Sequence, residues 1–254
     1  MENIYYFIDE SGSNKEKIFC RPIIMVIDWL TNHSRQRNYF WLILSVIDDC
    51  GRATSQINEG IRKVQDSNFI SKYDNFKIFH ASSDNFNVRT IFVNLLKKIT
   101  YRSYIIAIIK EKNFHSKQTE ITFEMFCKIV KDLLLKNKEK NNIFCFETCG
   151  LVKDEIAKKR YIKIIDEINY ELIKKHKIKE KILFDIEIKN KEEEPLLSIS
   201  DYMGFVVSQN YKRKPDQPTI GNYYKFLASK IGLLHDVSEN KFYNSKNPYK
   251  IINY

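Results

Sequence analysis

Ile4 to Ser13 reads IYYFIDESGS, and the fold turns on this stretch. An apolar, aromatic run is stopped by Asp9, Glu10 and the turn formers Ser11, Gly12 and Ser13, which predicts a short strand ending in acids. Outward from it, Tyr39 to Ile47 (YFWLILSVI) is a continuous apolar run, as a strand buried on both faces requires. Tyr104 to Ile109 (YIIAII), Ile143 to Phe146 (IFCF) and Ile182 to Ile188 (ILFDIEI) read as further strands. Between them apolar residues recur at helical spacing. Helices are expected over about Thr54 to Gln65, Phe86 to Thr100, Ile121 to Lys138, Lys153 to Lys174 and Ser198 to Tyr211, with a last helical stretch over about Tyr223 to Leu234. The alternation predicts an α/β fold with a mixed sheet of five strands flanked by helices, the first three antiparallel and the later ones joined by helical crossovers.

No interior linker or repeat divides the chain, so residues 1–254 are expected to form a single domain. Two additions stand out. The apolar block IIMVIDWL lies at about 17–38, where only a turn is due, and reads as an inserted helix or hairpin that covers an edge or meets a protein partner or second copy. A helical extension is expected from about 215.

Composition narrows the function. With 43% hydrophobic residues, 7 Gly and 5 Pro the chain is neither disordered nor collagen-like. No apolar run approaches the roughly 20 residues of a membrane span, and MENIYYFIDESG lacks the order of a signal peptide, so a soluble, cytoplasmic protein is expected. Five cysteines, an odd number with no CxxC pair, read as reduced thiols. The net charge of +10 favours a polyanionic partner such as DNA or RNA, although an AT-rich genome yields the same lysine bias. Neither GxxxxGK[ST] nor GxGxxG occurs, which disfavours P-loop and dinucleotide chemistry.

The acids fall at strand ends. Asp9 and Glu10 end the first strand, Glu147 ends the fourth, and Asp201 opens a helix after the fifth. In an α/β sheet the ends of adjacent strands converge on one cleft, so these carboxylates can share a site. Such a cluster calls for neutralisation, and a pair of Mg²⁺ or Mn²⁺ ions would supply it together with the chemistry of phosphodiester cleavage. Each acid also has an ordinary reading as a turn or cap residue.

The segments YFIDESGS (Tyr6 to Ser13), IFHASSD (Ile78 to Asp84), FETCGLVKD (Phe146 to Asp154) and FDIEIKNKEEEPLLSISDYMGFVVSQ (Phe184 to Gln209) resemble, in order, the signatures of the bacterial family catalogued as domain of unknown function 3800. The resemblance implies a ribonuclease H-like fold. It implies that Asp9, Glu147 and Asp201 are metal ligands and that Glu10, His80 and Asp154 belong to the same motifs. It also matches a family lysine to Lys189 and makes a role in defence against phage or mobile elements plausible. Two motifs depart from the family: no arginine follows Glu147-Thr148, and Ser198 stands where glutamine is usual.

The residues themselves leave alternatives. Glu10 points to the opposite strand face if the strand persists, and then caps the turn. Asp154, beyond Glu147, either supports a ligand or is one. His80 either exchanges a proton at the cleft or is a buried or capping histidine. Lys189, Lys212, Arg213 and Lys214, together with the basic face around Lys97, Lys98 and Arg102, could follow a nucleic-acid backbone or be solvated surface. The leading reading is a divalent-metal-dependent nuclease; the alternatives are a non-catalytic nucleic-acid- or protein-binding module and a phosphoesterase for small phosphates.

Overall fold

The computed structural model describes residues 2–11, 39–67, 76–110, 114–148, 154–212, 220–244 and 246–247. The expected insertion at about 17–38 lies outside these, as do Arg213 and Lys214.

The strand before the acids is β1 (Asn3–Ser11), and it is central. It pairs antiparallel with β2 (Tyr39–Ile47) on one side and parallel with β4 (Asn141–Glu147) on the other. Beyond β2 lies β3 (Tyr101–Ile109), antiparallel to it, and beyond β4 lies β5 (Phe184–Lys189), parallel to it. The order β5-β4-β1-β2-β3, with β2 alone reversed, is the ribonuclease H-like arrangement, and the protein is a mixed α/β fold of that kind.

The sheet does not stop at five strands. β6 (Ile231–Asp236) adds parallel to β3, and β7 (Lys241–Tyr243) adds antiparallel to β6, giving seven. This corrects both the five-strand expectation and the helical extension. Helix α6 (Ile220–Leu227) is followed by a 3-10 turn (Ala228–Lys230), and the chain then becomes extended. Tyr223, Tyr224, Leu227, Ile231 and Leu234 do recur at helical spacing, but the backbone groups on the open edge of β3 need partners, and pairing with Ile231–Asp236 supplies them.

Two helical layers cover the sheet. Along β1, Phe7 joins one core and Tyr6 and Ile8 the other, as strand alternation dictates. The first face packs α1 (Cys50–Gln65), α2 (Phe86–Lys98), α5 (Leu197–Lys212) and α6. The second packs α3 (Phe114–Lys136) and α4 (Asp154–His176). There Phe126, Phe144, Phe146 and Tyr161 form a ring cluster, with Phe146 stacked on Tyr161 at 3.8 Å between centroids and Phe126 5.0 Å from Tyr161. Among the described residues no helix is long and apolar enough to cross a membrane.

Candidate active site

Because β1 and β4 run parallel with Ile8 opposite Phe146, the next residues, Asp9 and Glu147, emerge side by side at the same end of the sheet. Both follow Phe7 and Cys145 by two, so both lie on the face covered by α5. The Asp9 carboxylate accepts from the Glu10 backbone N–H at 2.7 Å.

α5 brings the third acid. Its first turn is fixed by two buried hydroxyls: Ser200 Oγ donates to the Phe7 carbonyl at 2.7 Å, and Ser198 Oγ to the Phe79 carbonyl at 2.8 Å. One bond ties the helix to β1 and the other to the segment leading to His80, so Asp201 can stand only beside Asp9. Ser198, where the family resemblance calls for glutamine, is thus a helix anchor.

All three carboxylates gather on one ammonium that the sequence reading missed. Lys191 Nζ lies 2.6 Å from Glu147 Oε2, 3.2 Å from Asp201 Oδ2 and 4.0 Å from Asp9 Oδ2, with 7% of its side chain exposed. An Asn190 turn presents it: the Asn190 side-chain oxygen accepts from the N–H groups of Glu192 and Glu193 at 2.8 and 3.0 Å. Asn190 after a strand was the one local signal. Lys189, the lysine singled out by sequence, instead pairs with Glu187 at 2.7 Å and stays out of the cluster.

His80 flanks the acids. Its Nδ1 lies 3.4 Å from Asp201 Oδ2 and 3.1 Å from Ser82 Oγ, and 46% of the side chain is exposed. The turn that carries it is held from several sides. The Ala81 N–H donates to Asp201 Oδ2 at 3.0 Å, the His80 N–H donates to Asp84 Oδ2 at 2.9 Å, and Arg89 Nε donates to the Ala81 carbonyl at 2.9 Å. Asp84, also missed, is buried and accepts from the Tyr202 hydroxyl as well. Asp201 and Tyr202 are adjacent on α5, so one helical turn grips both ends of the His80 turn.

The electrostatics follow from crowding. Burial, and after it the neighbouring Asp201 and Glu147, hold the Asp9 carboxyl well above its ordinary range, against the opposing pull of Lys191. Burial alone would lower Lys191, but Asp9, Asp201 and Glu147 outweigh it and raise the ammonium. Burial likewise raises Asp84, with the Tyr202 hydroxyl and the His80 N–H working the other way.

The other sequence candidates lie elsewhere. Glu10 faces the opposite side of β1, where Gln118 Nε2 of α3 donates to it at 3.4 Å and burial raises its carboxyl. Asp154 is exposed at the start of α4, a helix packed on that second face, and no described contact joins it to the three acids. Lys212 closes α5. Lys97 and Lys98 end α2, with Lys97 4.6 Å above the Phe226 ring, and Arg102 is the second residue of β3. α2 begins just after the His80 turn, so its 13 residues put these cations about 20 Å from the acid end of the sheet.

Oxygen-only donors are what Mg²⁺ and Mn²⁺ take. As they stand, though, these oxygens are organised on Lys191, and among the described residues no group of three His, Cys, Asp or Glu is disposed to hold a metal ion. A pair of ions does not fit while the ammonium occupies Glu147.

No family model matches the chain, and no curated protein does. Among solved structures, a chain in the PCNA:RNase HII complex from Archaeoglobus fulgidus is similar at 13% identity and a TM-score of 0.38, over 82% of this chain and 74% of that one.

Proposed function

We propose that this protein is a divalent-metal-dependent nuclease that hydrolyses phosphodiester bonds of DNA or RNA. The observation that carries the reading is the convergence of Asp9, Glu147 and Asp201 on one cation position with a half-exposed histidine at its rim. When bound, Mg²⁺ or Mn²⁺ supplies Lewis-acid polarisation of a phosphoryl oxygen and lowers the pKa of water. Asp9 and Asp201 are the residues to hold it. Lys191 places a positive charge where a phosphate would approach the acids. His80 orients through Nδ1 on Asp201 and Ser82, which leaves Nε2 to give a proton to the departing oxygen or take one from water. The net charge of +10 favours a polyanionic substrate over a small neutral one.

Asp9→Asn tests this. On a panel of single- and double-stranded DNA and RNA, the wild type is expected to cut in Mg²⁺ or Mn²⁺ and to stop in EDTA, and the variant to be inactive while folded by circular dichroism. Equal cutting by both proteins would remove Asp9 from the chemistry.

A second reading is favoured by Lys191 itself. An acid cluster that carries its own cation can stay folded without metal, as a binding module would. Nucleic-acid binding by a wild type that cuts nothing on the panel would establish it.

A further inference from the structure

We infer that Arg89 is the positioning residue for His80: its guanidinium holds the turn that fixes where the imidazole stands against Asp201. The inference rests on the part of the reading above that gives His80 a proton to move, and it names the residue that acts through it.

The turn satisfies one of its carbonyls itself. The His80 carbonyl accepts from the Ser83 and Asp84 N–H groups at 3.1 and 2.9 Å. The next two are taken from outside, by one side chain: Arg89 Nε donates to the Ala81 carbonyl at 2.9 Å and Nη2 to the Ser82 carbonyl at 3.3 Å. A guanidinium is a planar fork, so its two donors set the direction of both peptide groups at once, which a single ammonium cannot do.

The effect is concentrated at Ala81. Its N–H donates to Asp201 Oδ2 at 3.0 Å and its carbonyl accepts from Arg89, so the peptide planes on both sides of its α-carbon are held. With them are held the two soft dihedrals that separate His80 from Ser82. His80 Nδ1 then lies 3.1 Å from Ser82 Oγ and 3.4 Å from Asp201 Oδ2. Nearly half of the His80 side chain is in solvent, so packing alone does not keep it there. Ala81 is 1% exposed, and without Arg89 its carbonyl would be buried and unpaired, which would turn the segment toward water and carry His80 with it.

The clamp is anchored on the helix that supplies the acid. The guanidinium carbon of Arg89 lies 4.6 Å from the centroid of the Phe205 ring, and Phe205 follows Asp201 by four residues on α5, one turn along the same face. Arg89 therefore ties the His80 turn to the same stripe of α5 that Ala81 meets through Asp201.

The test compares the wild type, Arg89→Met, His80→Ala and the double variant. Arg89→Met keeps an apolar stem and removes the fork. Amide hydrogen exchange followed by NMR reads the turn without any substrate: in Arg89→Met the Ala81 N–H is expected to exchange roughly tenfold faster, with the amides of β1 and β4 unchanged. On the nucleic-acid panel, Arg89→Met is expected to lower kcat by about 10²-fold with KM unchanged, as a misplaced catalytic group does. In the His80→Ala background the same substitution is expected to change kcat by less than about twofold, because the residue it acts through is gone. If Arg89→Met does not fold, Arg89→Lys, whose ammonium cannot hold both carbonyls in one plane, is held to the same criteria. An Ala81 N–H that exchanges as in the wild type, or a kcat loss of the same size with and without His80, would overturn the inference. A raised KM with kcat intact would make Arg89 a substrate contact and overturn it too. A wild type that cuts nothing, with Ala81 responding as expected, would sink the nuclease reading and leave Arg89 as the clamp of the turn.

Discussion

At the scale of single residues, Asp84 shows how a buried carboxylate can position a neighbour without touching the reacting atoms. It takes the His80 N–H and the Tyr202 hydroxyl on the same oxygen, so Tyr202→Phe removes one of two donors that favour its ionised form. Burial already lifts this carboxyl above its ordinary 3.8, so the folded protein retains a proton that the unfolded chain has lost. Stability then falls as pH rises from about 4 through the folded-state value. Losing the Tyr202 donor raises Asp84 further. The cost of Tyr202→Phe should therefore be small below pH 4 and grow to about 1–3 kcal/mol above the window, read by urea unfolding at a series of pH values. A cost independent of pH would show that Asp84 does not feel the hydroxyl. Asp9, Glu147 and Asp201 were legible in the sequence because each sits at the boundary of a strand or helix that its own neighbours define. Asp84 and Lys191 were not: what makes them part of the site is a turn whose shape depends on α5 and on Glu147, far off in the chain.

Among elements, the strands and long helices could be read from periodicity alone, because a period of two or of about three and a half survives without tertiary context. The misread element, β6, had the wrong period for a strand and the right partner: its identity comes from the free edge of β3. Depth of burial was equally hidden for Ser198 and Ser200, whose hydroxyls fasten α5 to two backbone carbonyls. The opposite layer depends on aromatic packing instead. Phe126 is fully buried and touches Phe144, Phe146 and Tyr161, so Phe126→Ala should cost about 3–5 kcal/mol in chemical unfolding. A loss under 1 kcal/mol would mean that α3 closes onto β4 without this ring. Phe146 stacks against Tyr161 one residue before Glu147, so the same variant should also loosen Mn²⁺ binding by the wild-type background.

For the molecule as a whole, charge is distributed along helix axes. The cations at the end of α2 lie about 20 Å from the acids, and Lys212, at the end of the 16-residue α5, is about 16 Å from Asp201 along its helix. On the proposed reading, a nucleic acid crossing the site would follow one of these directions. With the inactive Asp9→Asn protein on duplex DNA, each phosphate contact contributes about −0.9 to the slope of log K against log salt. Replacing Lys212, Arg213 and Lys214 with Ala should flatten that slope by up to about 3, whereas replacing Lys97, Lys98 and Arg102 should leave it unchanged. The reverse result would run the nucleic acid along α2.

The bond from Ser200 to the Phe7 carbonyl joins positions 193 residues apart, and β1 meets its parallel partner β4 only after β2, β3 and α1 to α3 have been made. Within the cluster Asp9 is synthesised first and Asp201 last. At about 5–20 residues per second, roughly 10–40 s separate them on the ribosome. During that interval β1 can already pair with β2, but Asp9 lacks both Lys191 and Asp201. On the proposed nuclease reading, a chain built in this order cannot cut until Asp201 has been made and its helix has docked on β1.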